Sequence, residues 1–128
     1  MIVRTLDDVR GTAADVTGDG WRSLRMLTRD DGMGFTITYT TLEPGMDATL
    51  QYRNHLEACL CVSGRMEIED LETATAHELV AGSMYALDRH DRHRVRVLEP
   101  TVLICVFDPA LTGTETHDEH GGYAAATD

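Results

Sequence analysis

Lysine is absent from this chain. All 11 basic residues are arginine, set against 22 acidic residues, for a formal charge of −11 and a pI near 4.8. A field of that sign repels phosphate backbones and anionic lipid, which excludes nucleic acid and membrane surfaces as first partners. The missing lysine has two readings, a biased genome or a salt-rich cytoplasm, and the residues do not choose between them. No apolar run approaches the ~18 residues that span a bilayer. The opening Met1-Ile2-Val3-Arg4-Thr5-Leu6-Asp7-Asp8 lacks the basic-then-apolar order of a signal peptide. Cysteine is scarce and odd in number, with Cys59, Cys61 and Cys105 all in apolar, strand-like runs. That pattern predicts buried free thiols in a reducing compartment, hence the cytoplasm. Helical periodicity is also nearly missing, and only Leu6 to Arg10 suggests a turn of helix.

What remains is a chain of 128 residues and 14.2 kDa with 42% apolar content, enough for one domain with a real core. It reads as short strands with turn punctuation, which predicts an all-β sandwich or barrel. Phe35, Ile37 and Tyr39 alternate with Thr36, Thr38 and Thr40. Residues 48–53, 57–62, 65–70, 84–87, 92–98 and 102–107 supply further strands, and Ser63-Gly64 reads as a tight hairpin between two of them. Alternation puts His55, Glu57, Cys59 and Cys61 on one face, and His93, Val95 and Val97 on an inward face. The segment 101–107 is apolar on both faces, so it lies between two layers or between the barrel and a partner chain. After Pro109 the character changes, and Thr112 to Asp128 holds almost no large apolar residue apart from Tyr123. Residues 1–111 are therefore expected to form the barrel and 112–128 a separate C-terminal segment.

One spacing carries chemistry. Gly45 is followed by Gln51-Tyr52-Arg53, then Glu57 and Gly64. Gly82 is followed by Asp88-Arg89-His90 and His93. This resembles the two motifs of the cupin barrels, double-stranded jelly rolls in which His-x-His, Glu and a further His hold a metal. Gln51 and Arg53 replace the first two histidines, and an arginine cannot ligate a cation. Glu57 and His93 survive, both inward, and a carboxylate inside a small barrel must be paired, protonated or metal-bound. Tyr85 shares parity with Leu87 and supplies either a core aromatic or a third, phenolate ligand. Carboxylate, imidazole and phenolate together suit Fe²⁺ better than a thiolate-loving ion.

Whole segments carry a closer likeness. Met1-Ile2-Val3-Arg4, Trp21-Arg22-Ser23, Asp30 to Phe35, Asn54 to Ala58, Tyr85 to Asp88, His90-Asp91, Cys105-Val106-Phe107, Leu111-Thr112-Gly113, His117-Asp118-Glu119 and Gly121-Gly122-Tyr123 resemble, in order, the ectoine synthases. The resemblance spans residues 1–123. It implies a cytoplasmic, homodimeric cupin that uses Fe²⁺ on Glu57, Tyr85 and His93. It implies closure of N-γ-acetyl-L-2,4-diaminobutyrate into the cyclic amidine ectoine with loss of water. It further implies Tyr52, His55, Glu115 and His117 as proton carriers and Trp21, Arg25 and Thr40 as pocket residues, with Arg25 pairing the substrate carboxylate. Cys105 and Phe107 share a side with Leu103, as cavity wall or plain core. Glu115 and His117 turn 112–120 into a lid, expected to be mobile until substrate orders it, while 124–128 stay disordered. Thr38-Tyr39 stands where the family often has His-Glu, which touches the pocket. A metal cupin of other chemistry, such as an oxygenase, and a non-enzymatic solute-binding module remain open alternatives. The oxygenase reading wants two histidines and a carboxylate, and one such histidine is evident.

Overall fold

The computed structural model describes residues 1–125. Its order is helix α1 (Leu6–Val9), then strands β1 (Asp15–Gly18), β2 (Trp21–Arg25), β3 (Thr36–Leu42), β4 (Asp47–Leu50), β5 (Leu56–Asp70), β6 (Thr75–Val80), β7 (Met84–Leu87) and β8 (His93–Asp108). The helix starts where expected because Thr5 and Asp8 form a reciprocal capping box.

The strands are antiparallel and make the double-sheet barrel. One sheet runs β1-β2-β3-β8-β5-β7, using residues 101–108 of β8 and 56–63 of β5. The other runs β4-β8-β5-β6, using 93–99 of β8 and 65–70 of β5. β5 and β8 therefore belong to both sheets. Ser63-Gly64 is accordingly no hairpin. The register slips there within one continuous strand, between Cys61 and Met66. A glycine before a charged residue marks a bulge as readily as a turn. Gly64 has φ 96°, and a Cβ on it would fall 2.2 Å from the Pro100 carbonyl oxygen on β8. Only glycine lets the two long strands bend together at that close approach.

The expected alternation holds. Glu57, Cys59 and Cys61 are buried on one side of β5, with His55 buried just before it, and His93, Val95 and Val97 on one side of β8. On β3 the Thr36 and Thr38 side is fully buried, while Ile37 and Tyr39 are only half-buried on the outside. Strands β1, β2 and β6 had no clear signature: β1 and β6 are polar edge strands with one buried side chain each, and β2 is a five-residue strand whose buried residues include Ser23 and Arg25. Leu111 is completely buried, and its N–H donates to Thr36 Oγ1 at 2.8 Å. Beyond it residues 112–123, here called the strap, lie across one end of the barrel. Ala124 and Ala125 are exposed. The disorder expected for 124–128 concerns mainly residues that lie outside the described ones.

Candidate active site

Strand register decides which side chains meet. A row of paired positions crosses the inner face from Arg25 on β2 to Thr38 on β3, Cys105 on β8, Cys59 on β5 and Tyr85 on β7. The neighbouring row places Glu57 between Phe107 and Leu87. His93 comes from the opposite sheet, where it pairs with Leu50 and Asp70.

Glu57 is buried, and burial pushes its carboxyl up to about 7 against the pull of hydrogen bonds with the Cys59 and Cys105 thiols. His93 is 1% exposed. Its Nδ1 lies 2.9 Å from the Asp91 carbonyl, which can only accept, so Nδ1 carries the proton and Nε2 a lone pair. That Nε2 is buried without a hydrogen-bond partner. A histidine fixed by a carbonyl on one nitrogen and open on the other is how proteins orient a metal ligand. The Tyr85 ring lies 6.4 Å from the His93 ring, and Tyr85 borders both the cavity that holds Glu57 and the adjoining one that holds His93. Glu57 and His93 thus border neighbouring cavities with Tyr85 on the edge of both, and carboxylate, phenol and imidazole are donor types that suit a divalent iron.

The cavity beside Glu57 is narrow, about 50 Å³. Trp21, Thr40, Tyr52, Cys105, Phe107 and His117 line it. Gly18 makes room for Trp21, since a Cβ there would fall 2.2 Å from the indole. Thr40 Oγ1 lies 2.8 Å from Thr38 Oγ1, so Thr38 acts on the pocket through Thr40. A larger outer depression of about 660 Å³ opens past Trp21 and His117, between the β4 turn and the strap.

His117 is the centre of an aromatic cluster. It stacks on Tyr123 with centroids 4.8 Å apart and planes 1° apart, meets Trp21 edge-on at 5.0 Å, and its Nε2 lies 2.8 Å from the Tyr52 hydroxyl. Burial and then the Arg25 charge lower its pKa to about 4, while burial pushes the Tyr52 hydroxyl well above the usual phenol range. Both groups are therefore neutral near pH 7, and the tautomer of His117 decides which of them donates across this contact. His55 lies behind this cluster with its ring edge-on to Phe107 and Tyr123. Both its ring nitrogens are buried without a partner, and burial lowers its pKa.

Arg25 and Glu115 are placed differently from the other expected pocket residues. Arg25 is 2% exposed, and its donors go to Ser23 Oγ, the Gly113 and Glu115 carbonyls and the Tyr123 hydroxyl, at 2.8–3.3 Å. The Glu115 carboxylate accepts from the Thr112 and Gly113 N–H groups, both at 2.8 Å. Burial opposes its ionisation, but these amides outweigh it and hold the pKa below the usual range. Both residues hold the strap. Its far end is fastened by Gln51 N–H to Gly121 and by the Asn54 amide to Tyr123, with no room for a Cβ at Gly121 or Gly122. Sequence reasoning passed over His90. Its Nδ1 lies 2.8 Å and 3.0 Å from the carbonyls of Tyr52 and His55, so it holds the loop that carries both. Its only signal was its place in the second motif.

A double-sheet antiparallel barrel with a buried glutamate and a buried, unpartnered histidine nitrogen inside it defines a cupin-type barrel. The chain belongs to the ectoine synthase family, whose members are lyases. The family model described as ectoine synthase matches residues 1–127. The L-ectoine synthase of Sphingopyxis alaskensis is 53% identical over 125 residues, covering 98% of this chain and 91% of that one. That of Alkalilimnicola ehrlichii is 49% identical over 129 aligned positions, covering 100% and 98%. The crystal structure of ectoine synthase from P. lautus superposes with a TM-score of 0.87 at 40% identity, covering 94% of this chain and 87% of that one. An RmlC-like cupin from Shewanella frigidimarina, at 17% identity and a TM-score of 0.62 over 75% of this chain, shares the fold alone.

Proposed function

We propose that this enzyme closes N-γ-acetyl-L-2,4-diaminobutyrate into ectoine with loss of water, using Fe²⁺ held by Glu57, Tyr85 and His93. The observation that carries the metal part is the buried, unpartnered Nε2 of His93. A neutral buried nitrogen without a partner costs folding free energy on the order of 1–3 kcal/mol, a cost that ligation removes.

The reaction joins the α-amine to the acetamide carbonyl carbon, transfers a proton to the carbonyl oxygen, and then breaks that C–O bond to leave C=N and water. Fe²⁺ held by Glu57, Tyr85 and His93 would supply Lewis acidity toward the carbonyl. His117, neutral near pH 7, accepts a proton from the amine, and the Tyr52 hydroxyl at 2.8 Å completes a two-residue relay toward the departing oxygen. His55 stands in reserve beside the same rings. Trp21 and Phe107 wall off bulk water, which favours a dehydration. Arg25 and Glu115 keep His117 in place by holding the strap, and Thr40 borders the pocket where the acyl group would lie. The 50 Å³ cavity holds one or two waters and no molecule with an amino-acid head and an acetamide. Substrate entry therefore requires the strap to lift and reseat. The odd, free thiols support a cytoplasmic enzyme; among the described residues no helix is long and apolar enough to cross a membrane.

The test is incubation of the Fe²⁺-loaded chain with the acetylated diamino acid, followed by chromatographic detection of ectoine. Stoichiometric iron without ectoine would overturn the reading.

A further inference from the structure

Cys59 and Cys105 have no part in the chemistry above, yet they face the same carboxylate. They are cross-strand partners on β5 and β8, with sulfurs 3.0 Å apart. Both sulfurs and a Glu57 oxygen lie within 4.8 Å of one another, and all three residues are buried. Cys61 is also buried but is turned away, its thiol donating to the Ser63 carbonyl at 3.4 Å. Tyr85 is the other strand partner of Cys59. Three donors from two strands therefore converge without a cation–anion pair among them.

We propose that Glu57, Cys59 and Cys105 form a thiolate-bearing site for a thiophilic divalent cation, with Zn²⁺ or Cd²⁺ as its natural class. Thiolates select such ions over the harder iron. On binding, each thiol gives its proton to solvent and forms one metal–sulfur bond, and the cation offsets the two charges created. On a tetrahedral ion with bonds of about 2.3 Å, two sulfurs sit roughly 3.8 Å apart. The pair thus has to open by ~0.8 Å, which a small rotation about each Cα–Cβ bond supplies. Glu57 belongs to this set and to the Fe²⁺ set, so the two ions exclude each other. The inference uses the same cavity as the proposed function and is independent of which reaction runs there.

The probe is Co²⁺, titrated into the metal-free full-length chain and followed by absorbance. A thiolate-to-cobalt charge-transfer band in the near ultraviolet is expected, saturating at one ion per chain and abolished by added Zn²⁺. It should fall by about half in Cys59→Ala and in Cys105→Ala, vanish in the double variant, and persist in Cys61→Ala. Saturating Co²⁺ that gives only visible d–d bands in the unmodified chain overturns the proposal, and so does a band that survives the double variant. Because the unmodified chain alone decides the first point, a variant that misfolds does not leave the matter open. A charge-transfer band together with iron-loaded protein that makes no ectoine would refute the function and leave this site standing. Ectoine formation without the band would do the reverse.

Discussion

His117 illustrates how packing sets the behaviour of one ring. Trp21, Tyr52 and Tyr123 surround it, Arg25 adds positive charge nearby that Asp118 only partly offsets, and His93 adds a smaller repulsion. Its folded pKa of about 4 lies below its unfolded value of about 6.5, so the native state refuses a proton that the unfolded chain takes. The associated stability is complete above pH 6.5 and is lost as pH falls from there to about 4. The loss should be on the order of 1–3 kcal/mol, and in His117→Gln that portion of the acid-side decline should be missing from urea-unfolding curves. The ring resonance of His117 should stay that of the neutral form down to about pH 5. At the proposed metal ligands, Glu57→Ala, Tyr85→Ala and His93→Ala should fold yet lose iron and turnover. Full iron content in all three, by elemental analysis, would remove them from the ligand set. Glu57 and His93 were legible because motif spacing and period-two parity agree. The role of Arg25 was not, because its carbonyl partners lie 88 and 90 residues away and no local pattern encodes such a pairing.

Among the elements, the strap and the shared strands behave oppositely. The strap is held by a few hydrogen bonds and by Tyr123, whereas β5 and β8 are paired along nearly their whole length. A chain ending after Tyr123 should keep its activity. One ending after Leu111 should remain a folded, iron-binding barrel with little turnover and a lower melting temperature, since it loses the burial of Tyr123, on the order of 2 kcal/mol. Parental turnover in the shorter form would take His117 and Glu115 out of the site. The bend at Gly64 is far less forgiving. Gly64→Ala combines a positive φ with a Cβ inside the Pro100 carbonyl and should cost at least about 3 kcal/mol in denaturant titrations. The strands on either side of Gly64 were legible as alternating runs. Their continuity was not, because a Ser-Gly pair serves a hairpin and a bulge equally well, and only the partner strand distinguishes them. The strap's composition said little about its seat, which depends on Leu111, Tyr123 and two glycines that fit against β4 and the loop after it.

At the scale of the molecule, the sheet that carries Glu57 and Tyr85 has an unusual outer surface. Two rows cross it, Ile37-Val106-Ala58-Ala86 and Tyr39-Ile104-Leu60-Met84, without a charge. Met84 is 65% exposed, Leu60 46% and Val106 38%. A contiguous apolar sheet face of this kind is what a two-fold partner covers. It also explains why 101–107 is apolar on both sides. A homodimer through this face is expected in sedimentation, and Leu60→Arg with Met84→Glu should yield monomers. Sedimentation of the unmodified chain as a monomer would dismiss the contact. The pleat gives this arrangement a further consequence. Met84 and Tyr85 are consecutive residues, one turned to the apolar outer face and the other to the inner cavity, and Leu60 and Cys59 repeat the pattern. One thickness of backbone separates association from catalysis. Mass action then reaches the pocket: as the protein is diluted through its dimer dissociation constant, specific activity should decline while far-ultraviolet circular dichroism still reports an intact barrel.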